Sequence, residues 1–201
     1  CDDIPANPIK NVIDDILDPL VHICQLSLDQ GYFPEELKLA KIIPIYKCKD
    51  ASLFNNYRPI SLLSVFSKII EKVMYDRLYE YLLKYSILYA YQFGFQKHKS
   101  TYMAIICMLE KMVTALEKGE IGIGIFIDFR KAFDTVDHHI LLEKLYHYGI
   151  RGSAFDWFVS YLNERKQFVT YNYVNSLIMP LKWGVLQGSL MSCYEPNLNN
   201  F

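Results

Sequence analysis

The stretch Ile121-Gly122-Ile123-Gly124-Ile125-Phe126-Ile127-Asp128 constrains this chain more than any other. A short apolar run, rich in Ile and punctuated by glycine, predicts a buried strand over 121–127. It is far shorter than the roughly 18–20 residues needed to cross a bilayer, and no apolar run in the chain approaches that length. A buried strand needs covered faces, and most of the remaining sequence has the helical period that can supply them. The expected class is therefore α/β or α+β, helix-rich, around a small and mostly antiparallel sheet.

The flanking elements follow from periodicity and punctuation. Ile9, Val12, Ile13, Ile16 and Leu17 share one helical face. Asp18 and Pro19 predict a restart, with Asp as cap and Pro in the first turn. Leu20, Ile23, Cys24 and Leu28 carry that face on to Gly31. Residues 39–46 predict a strand in which Pro44 implies an edge or a bulge, and 47–58 is polar and turn-rich. A long amphipathic helix follows, with Val65, Ile69, Ile70, Val73, Met74, Leu78 and Leu82 at helical spacing and Ser61 or Ser64 as its cap. A second carries Ala104, Ile105, Met108, Leu109, Met112 and Leu116, closed by Gly119. Helices are expected at 138–148 and 153–162, and strands near 167–171 and 177–183.

Composition removes several classes. With 52% hydrophobic and 21% charged residues, the chain is not a disordered one. A formal net charge of −1 excludes a protein held to nucleic acid mainly by bulk positive charge. The five cysteines are odd in number and scattered, with no CxxC pair, so reduced thiols in an intracellular protein are expected; nucleus and cytoplasm are not distinguished. The chain starts Cys-Asp-Asp, with no initiating Met and no basic-then-apolar leader, so it is expected to be a fragment without a signal peptide.

Asp128 is the candidate for chemistry. A strand delivers it at its carboxyl end, where open α/β sheets gather ligand groups. A carboxylate there can hold Mg²⁺, a hard ion that favours oxygen ligands and substrate phosphates. Taken alone, such an Asp is more often a cap or turn residue.

Its neighbours change that reading. Phe129-Arg130-Lys131-Ala132-Phe133-Asp134 continues from Asp128 into Thr135-Val136-Asp137-His138. Upstream stand Phe33-Pro34, Ile43-Pro44-Ile45-Tyr46-Lys47, Asn56-Tyr57-Arg58-Pro59-Ile60-Ser61-Leu62-Leu63 with Lys68 and Glu71, and Gln92-Phe93-Gly94-Phe95. Downstream stand Gly149, Gly152, Trp157, Ser160-Tyr161-Leu162, Arg165, Gln167 and Gly184-Val185-Leu186-Gln187-Gly188-Ser189. In this order the blocks resemble the reverse transcriptases of non-LTR retrotransposons (LINE-type, jockey-like), from about Phe33 to Ser189.

The resemblance implies right-hand polymerase architecture: a fingers-like region with a helical lead-in over 1–120, and a partial palm over 121–201 with a degenerate end. Asp128 would be a catalytic, metal-holding carboxylate, and the backbone carbonyl of Phe129 a further ligand for Mg²⁺ or substituting Mn²⁺. Lys47 and Arg58 would grip the triphosphate of a deoxynucleotide; Lys49 is a weaker candidate. Phe133 would lie beneath the sugar and exclude a 2′-hydroxyl. Gln187 and Gly188 would line the nucleotide pocket, and Lys97 and Lys99, beside His98, could reach template phosphate. RNA template and DNA primer are the implied partners, with no membrane; protein partners are left open. Asp134 reads as a turn residue. Asp137 reads as the cap of a helix at His138 rather than as a metal ligand with His138 and His139.

Departures matter as much. Leu186 stands where the family has Pro, and Gln96 where it commonly has Arg. No Asp follows Asp156, so the Asp-Asp hairpin that supplies the family's other metal ligands is missing, as is the thumb. One carboxylate cannot hold two ions about 3.5–4 Å apart, so the chain alone is expected not to polymerise DNA. The alternative is a non-catalytic nucleic-acid-binding remnant. A phosphohydrolase built on Asp128 and Asp134 is disfavoured, since Arg130 stands where such enzymes need a second Asp.

Overall fold

The computed structural model describes residues 4–128 and 131–189. Two helices open the chain: α1 (Ala6–Asn11) and α2 (Ile13–Gln30). The expected break at Asp18 does not occur, because α2 runs unbroken through Pro19. The proline ring removes the donor that would meet the Asp15 carbonyl, a loss a half-exposed helix can offset with water. Gly31 ends α2 in a left-handed conformation (φ +65°), with Tyr32 N donating to Ser27 O at 2.9 Å. A Cβ there would stand 2.7 Å from Ser153 O, so only glycine lets the end of α2 abut the next helix it meets.

The sheet begins with β1 (Leu39–Tyr46) and β2 (Tyr57–Leu62), an antiparallel hairpin in which Pro44 faces Pro59. Lys47 N donates to Asn56 O at 2.8 Å, which marks that pair as hydrogen-bonded. Alternation along the ladder then makes 44–59 a pair that exchanges no hydrogen bonds, so neither missing N–H is needed there. Ser64 caps α3 (Val65–Lys84) by accepting from Phe66 N at 3.3 Å, and Ser100 caps α4 (Thr101–Glu117) by accepting from Met103 N at 3.3 Å. Beyond 128 come α5 (His138–His147), α6 (Ser153–Leu162), β3 (Lys166–Tyr171), β4 (Val174–Asn175) and β5 (Met179–Pro180). The strand order is β2-β1-β3-β4, with β5 also on β3. Among the described strands only β1 and β3 are parallel, so the sheet is mostly antiparallel as expected. Their pairing stops at Ile42 and Val169, which leaves Pro44 on a half of β1 with one neighbour.

Four helices share the core. Leu20, Cys24 and Leu28 of α2, Ile70, Met74, Leu78 and Leu82 of α3, Leu141 and Leu145 of α5, and Trp157, Phe158, Tyr161 and Leu162 of α6 pack together. Phe33 sits edge-on to both Trp157 (5.4 Å) and Tyr161 (5.1 Å), whose rings stack on each other. Trp157 Nε1 donates to Ser27 Oγ at 3.0 Å, which satisfies the indole in an otherwise apolar setting. A smaller cluster of Ala40, Ile42, Leu63 and Leu186 lies against the sheet.

A further expectation fails. Residues 121–127 form no strand, and Ile121 and Phe126 are 91% and 86% exposed. The sequence has strand propensity, but among the described residues no strand pairs with it, and an unpaired strand has no ladder to stabilise it. The helix α4 forms as expected, yet none of its residues is buried. Its apolar face is therefore uncovered within the described residues.

Candidate nucleotide-binding cleft

The cleft is assembled by backbone contacts between three sequence blocks. The turn at Lys131 (φ +55°) brings Asp134 N onto Lys131 O at 2.9 Å. Val185 N then donates to Phe133 O, and Gly184 N to Val136 O, both at 2.8 Å. His138 Nε2 lies 2.6 Å from Gly184 O, where the protonated nitrogen donates. Gly184 (φ +76°) is obligatory in this packing: a Cβ would stand 2.8 Å from three backbone atoms of Asp134. The third block joins through Ser61 N, which donates to Gln187 O at 2.8 Å. Gly188 lies so close to β2 that a Cβ would stand 2.8 Å from Ser61 O. Thus β2, the 131–136 turn and the 184–189 segment hold one another.

They enclose a cleft of about 1040 Å³, large enough for a nucleotide. Asp128, Lys47, Arg58, Phe133 and Gln187 all line it. Five of the residues singled out from sequence, drawn from positions 47 to 187, are thus brought to one place. Asp134 and Lys131 line it as well, along with Phe54, Tyr57 and Tyr171. Asp134, a turn residue by sequence, is that, and it also faces the cleft. The aromatic lining carries no distinguishing signal in a chain with 16 Tyr and 12 Phe.

The walls combine Lys47, Arg58 and Lys131 with the carboxylates Asp128 and Asp134. No ion pair occupies Lys47 or Arg58 among the described residues. Unpaired cations in a concave site are ready to meet an anionic ligand. The turn beside them is well ordered by its own bonds. Asp50 accepts from Ser52 N (2.9 Å) and Ser52 Oγ (2.8 Å), while Asn56 Nδ2 and Tyr57 OH donate to the carbonyls of Asp50 and Ala51. These Ser52 hydrogen bonds hold the Asp50 carboxyl below the usual carboxylate range.

The other sequence candidates stand elsewhere. Phe129 and Arg130 lie outside the described residues. Lys97 reaches Asp76 (3.3 Å) and lies over Tyr79, and Lys99 donates to the carbonyls of Ala90 (2.7 Å) and Gln92 (3.1 Å). Both lysines thus tie their loop down rather than facing the cleft. Lys49 does not line the cleft either. Asp137 caps α5, accepting from His139 N at 2.8 Å and Ile140 N at 3.3 Å. No cluster of three or more His, Cys, Asp or Glu side chains suited to a metal occurs among the described residues. No helix among them is long and apolar enough to cross a membrane.

The cleft thus combines cationic walls with a pair of carboxylates and aromatic lining. The family is shown by sequence: residues 47–195 match the reverse transcriptase (RNA-dependent DNA polymerase) model, and the chain belongs to that family. It is 33% identical over 184 residues to the RNA-directed DNA polymerase from mobile element jockey of Drosophila melanogaster, covering 91% of this chain and 20% of that protein. It is 32% identical over 167 residues to the probable RNA-directed DNA polymerase from transposon BS of the same species, covering 80% of this chain and 18% of that protein. The Pol polyprotein of the R1 retrotransposable element of Bradysia coprophila is 31% identical over 169 residues, 83% of this chain and 16% of that protein. The chain thus spans about a fifth or less of the length of these relatives.

Proposed function

We propose that the cleft takes the incoming deoxynucleoside triphosphate of an RNA-directed DNA polymerase, of which this chain supplies fingers (1–120) and the start of the palm (from 121). The convergence of Asp128, Lys47, Arg58, Phe133 and Gln187 on one cleft supports this reading. Arg58 offers a planar fork to phosphate oxygens, and Lys47 adds a point charge. Phe133 lines the cleft, and in this reading its ring would crowd a ribose 2′-hydroxyl. RNA template and DNA primer are the partners of the parent enzyme.

The donor set suits a hard divalent cation. Asp128 and Asp134 offer carboxylate oxygens, and Mg²⁺ completes its shell with water and substrate phosphates. When bound, such an ion neutralises charge on the triphosphate. Among the described residues no third ligand residue joins these two carboxylates, and the pair by itself falls short of a two-ion site, so we also propose that the chain alone does not polymerise.

Two measurements test this. Equilibrium binding of a deoxynucleoside triphosphate in Mg²⁺ should weaken about tenfold or more in Arg58→Ala, since a charge-assisted hydrogen bond contributes about 1.5–3 kcal/mol. Phe133→Ala should bring deoxy- and ribonucleotide affinities together. Binding indifferent to Arg58 would refute the assignment of the cleft. Template-dependent primer extension that Asp128→Ala abolishes would refute the proposed inactivity.

A further inference from the structure

Outside the cleft lies a polar cluster that the binding reading does not use. Glu71 of α3 is fully buried. Its Oε1 accepts from Ser67 Oγ (3.1 Å) and Tyr161 OH (3.3 Å), and its Oε2 from Ser189 Oγ (2.9 Å). Tyr161 OH and Ser189 Oγ are 2.7 Å apart. The serine proton is committed to the carboxylate, so Tyr161 OH is the donor across that short contact, its single proton divided between Ser189 Oγ and the longer bond to Glu71 Oε1. The bonds then run Tyr161 OH to Ser189 Oγ to Glu71, each polarising the next. Burying a carboxylate is costly, and an apolar side chain of similar volume would pack α3 without that cost.

Position explains the cost. Ser189 follows Gln187 by two residues. On one side Ser61 N holds Gln187 O, and Gly188 is pressed against Ser61 O. On the other side Glu71 holds Ser189. Ser61 and Glu71 belong to consecutive elements, β2 and α3, which both hold the same short segment.

We infer that Glu71 is a positioning residue: acting through Ser189 Oγ, its carboxylate sets where Gln187 stands in the nucleotide cleft. The link to nucleotide affinity rests on the reading of the cleft given above; the link to Gln187's placement does not.

Amide hydrogen exchange on the full chain tests the placement. Glu71→Gln should speed exchange at the Ser61 amide, which reports the bond to Gln187, about tenfold or more. Exchange at Ile43 in the β1–β2 ladder and at Asn163 at the end of α6 should be unchanged. Ser189→Ala should act alike, and the double variant should add nothing. A uniform loss of protection at all three amides, or additive effects, would overturn the inference. Ser189→Ala removes only the hydroxyl that Glu71 holds and serves if Glu71→Gln does not fold; an unchanged Ser61 rate there would also overturn it. In deoxynucleotide binding, Glu71→Gln should weaken affinity several-fold, and the effect should vanish in a Gln187→Ala background. An equal loss in both backgrounds overturns the positioning role. A wild-type chain that binds no nucleotide overturns the cleft reading instead, while the exchange rates still judge Glu71.

Discussion

Two glycines with nearly the same φ separate the cost of a left-handed residue from the cost of a closed contact. Gly119 has φ +72° and open space for 4 Å around the point a Cβ would take, whereas Gly184 has φ +76° and three Asp134 backbone atoms at 2.8 Å. Alanine at either position incurs the left-handed penalty of about 1–2 kcal/mol. At Gly119 that is the whole cost. At Gly184 the new methyl meets atoms that cannot rotate away, so the 184–185 segment must part from the 133–136 turn. The two bonds Gly184 N to Val136 O and Val185 N to Phe133 O are then lost or stretched. At about 0.5–1.5 kcal/mol each, they bring the expected cost of Gly184→Ala to roughly 2–5 kcal/mol. Urea unfolding followed by circular dichroism measures both variants against the parent. Gly184→Ala should be the less stable by at least about 1 kcal/mol, and should lose nucleotide affinity while Gly119→Ala keeps it. Equal destabilisation would refute the argument that contact, not backbone conformation, makes Gly184 necessary.

Asp137→Ala should destabilise by about 1 kcal/mol, the ordinary cost of losing a helix cap, and should leave divalent-cation binding unchanged; calorimetric titration with Mg²⁺ before and after the change would expose any role as a ligand. The Asp50 carboxyl lies below its usual range because Ser52 donates to its charged form. A depressed folded value means the loop is stabilised above the ordinary Asp pKa of about 3.9 and loses that support as pH falls through the lowered value. The Ser52 amide resonance should therefore titrate below about 3.9, and a midpoint at or above it would contradict the hydrogen-bond geometry.

Much of the fold is legible in the sequence because it is local. Ser64, Ser100 and Asp137 cap helices through hydrogen bonds to their own next few residues, and Gly31 and Gly119 close them. The convergence of Lys47, Arg58, Asp128, Phe133 and Gln187 can be anticipated only from the order of blocks resembling a known family, since periodicity says nothing about which turns meet. What escapes is non-local. The 121–127 segment has every sign of a strand, but strand formation depends on a neighbour that propensity cannot reveal. Pro19 reads as a start signal, yet the amphipathic face continues on both sides and packing overrides the missing donor. Lys97 and Lys99 look available in the sequence because their partners, Asp76 and the carbonyls of Ala90 and Gln92, are found only once the loop is folded. Glu71 belongs to a recognisable block, but its purpose requires seeing Tyr161 and Ser189 beside it.

The facing prolines of the hairpin have a consequence for assembly. Along the outer margin of β2, the N–H groups that point away from β1 belong to positions 57, 59 and 61. Position 59 is proline and has none, and the donor at 61 is taken by Gln187. Tyr57 N already donates to Phe54 O, so a foreign chain seeking to zip onto this margin would find no free donor on which to start a ladder. The same bond that anchors Gln187 thus also occupies the hairpin's outer margin, and a variant that frees Gln187 would return the Ser61 donor to that edge.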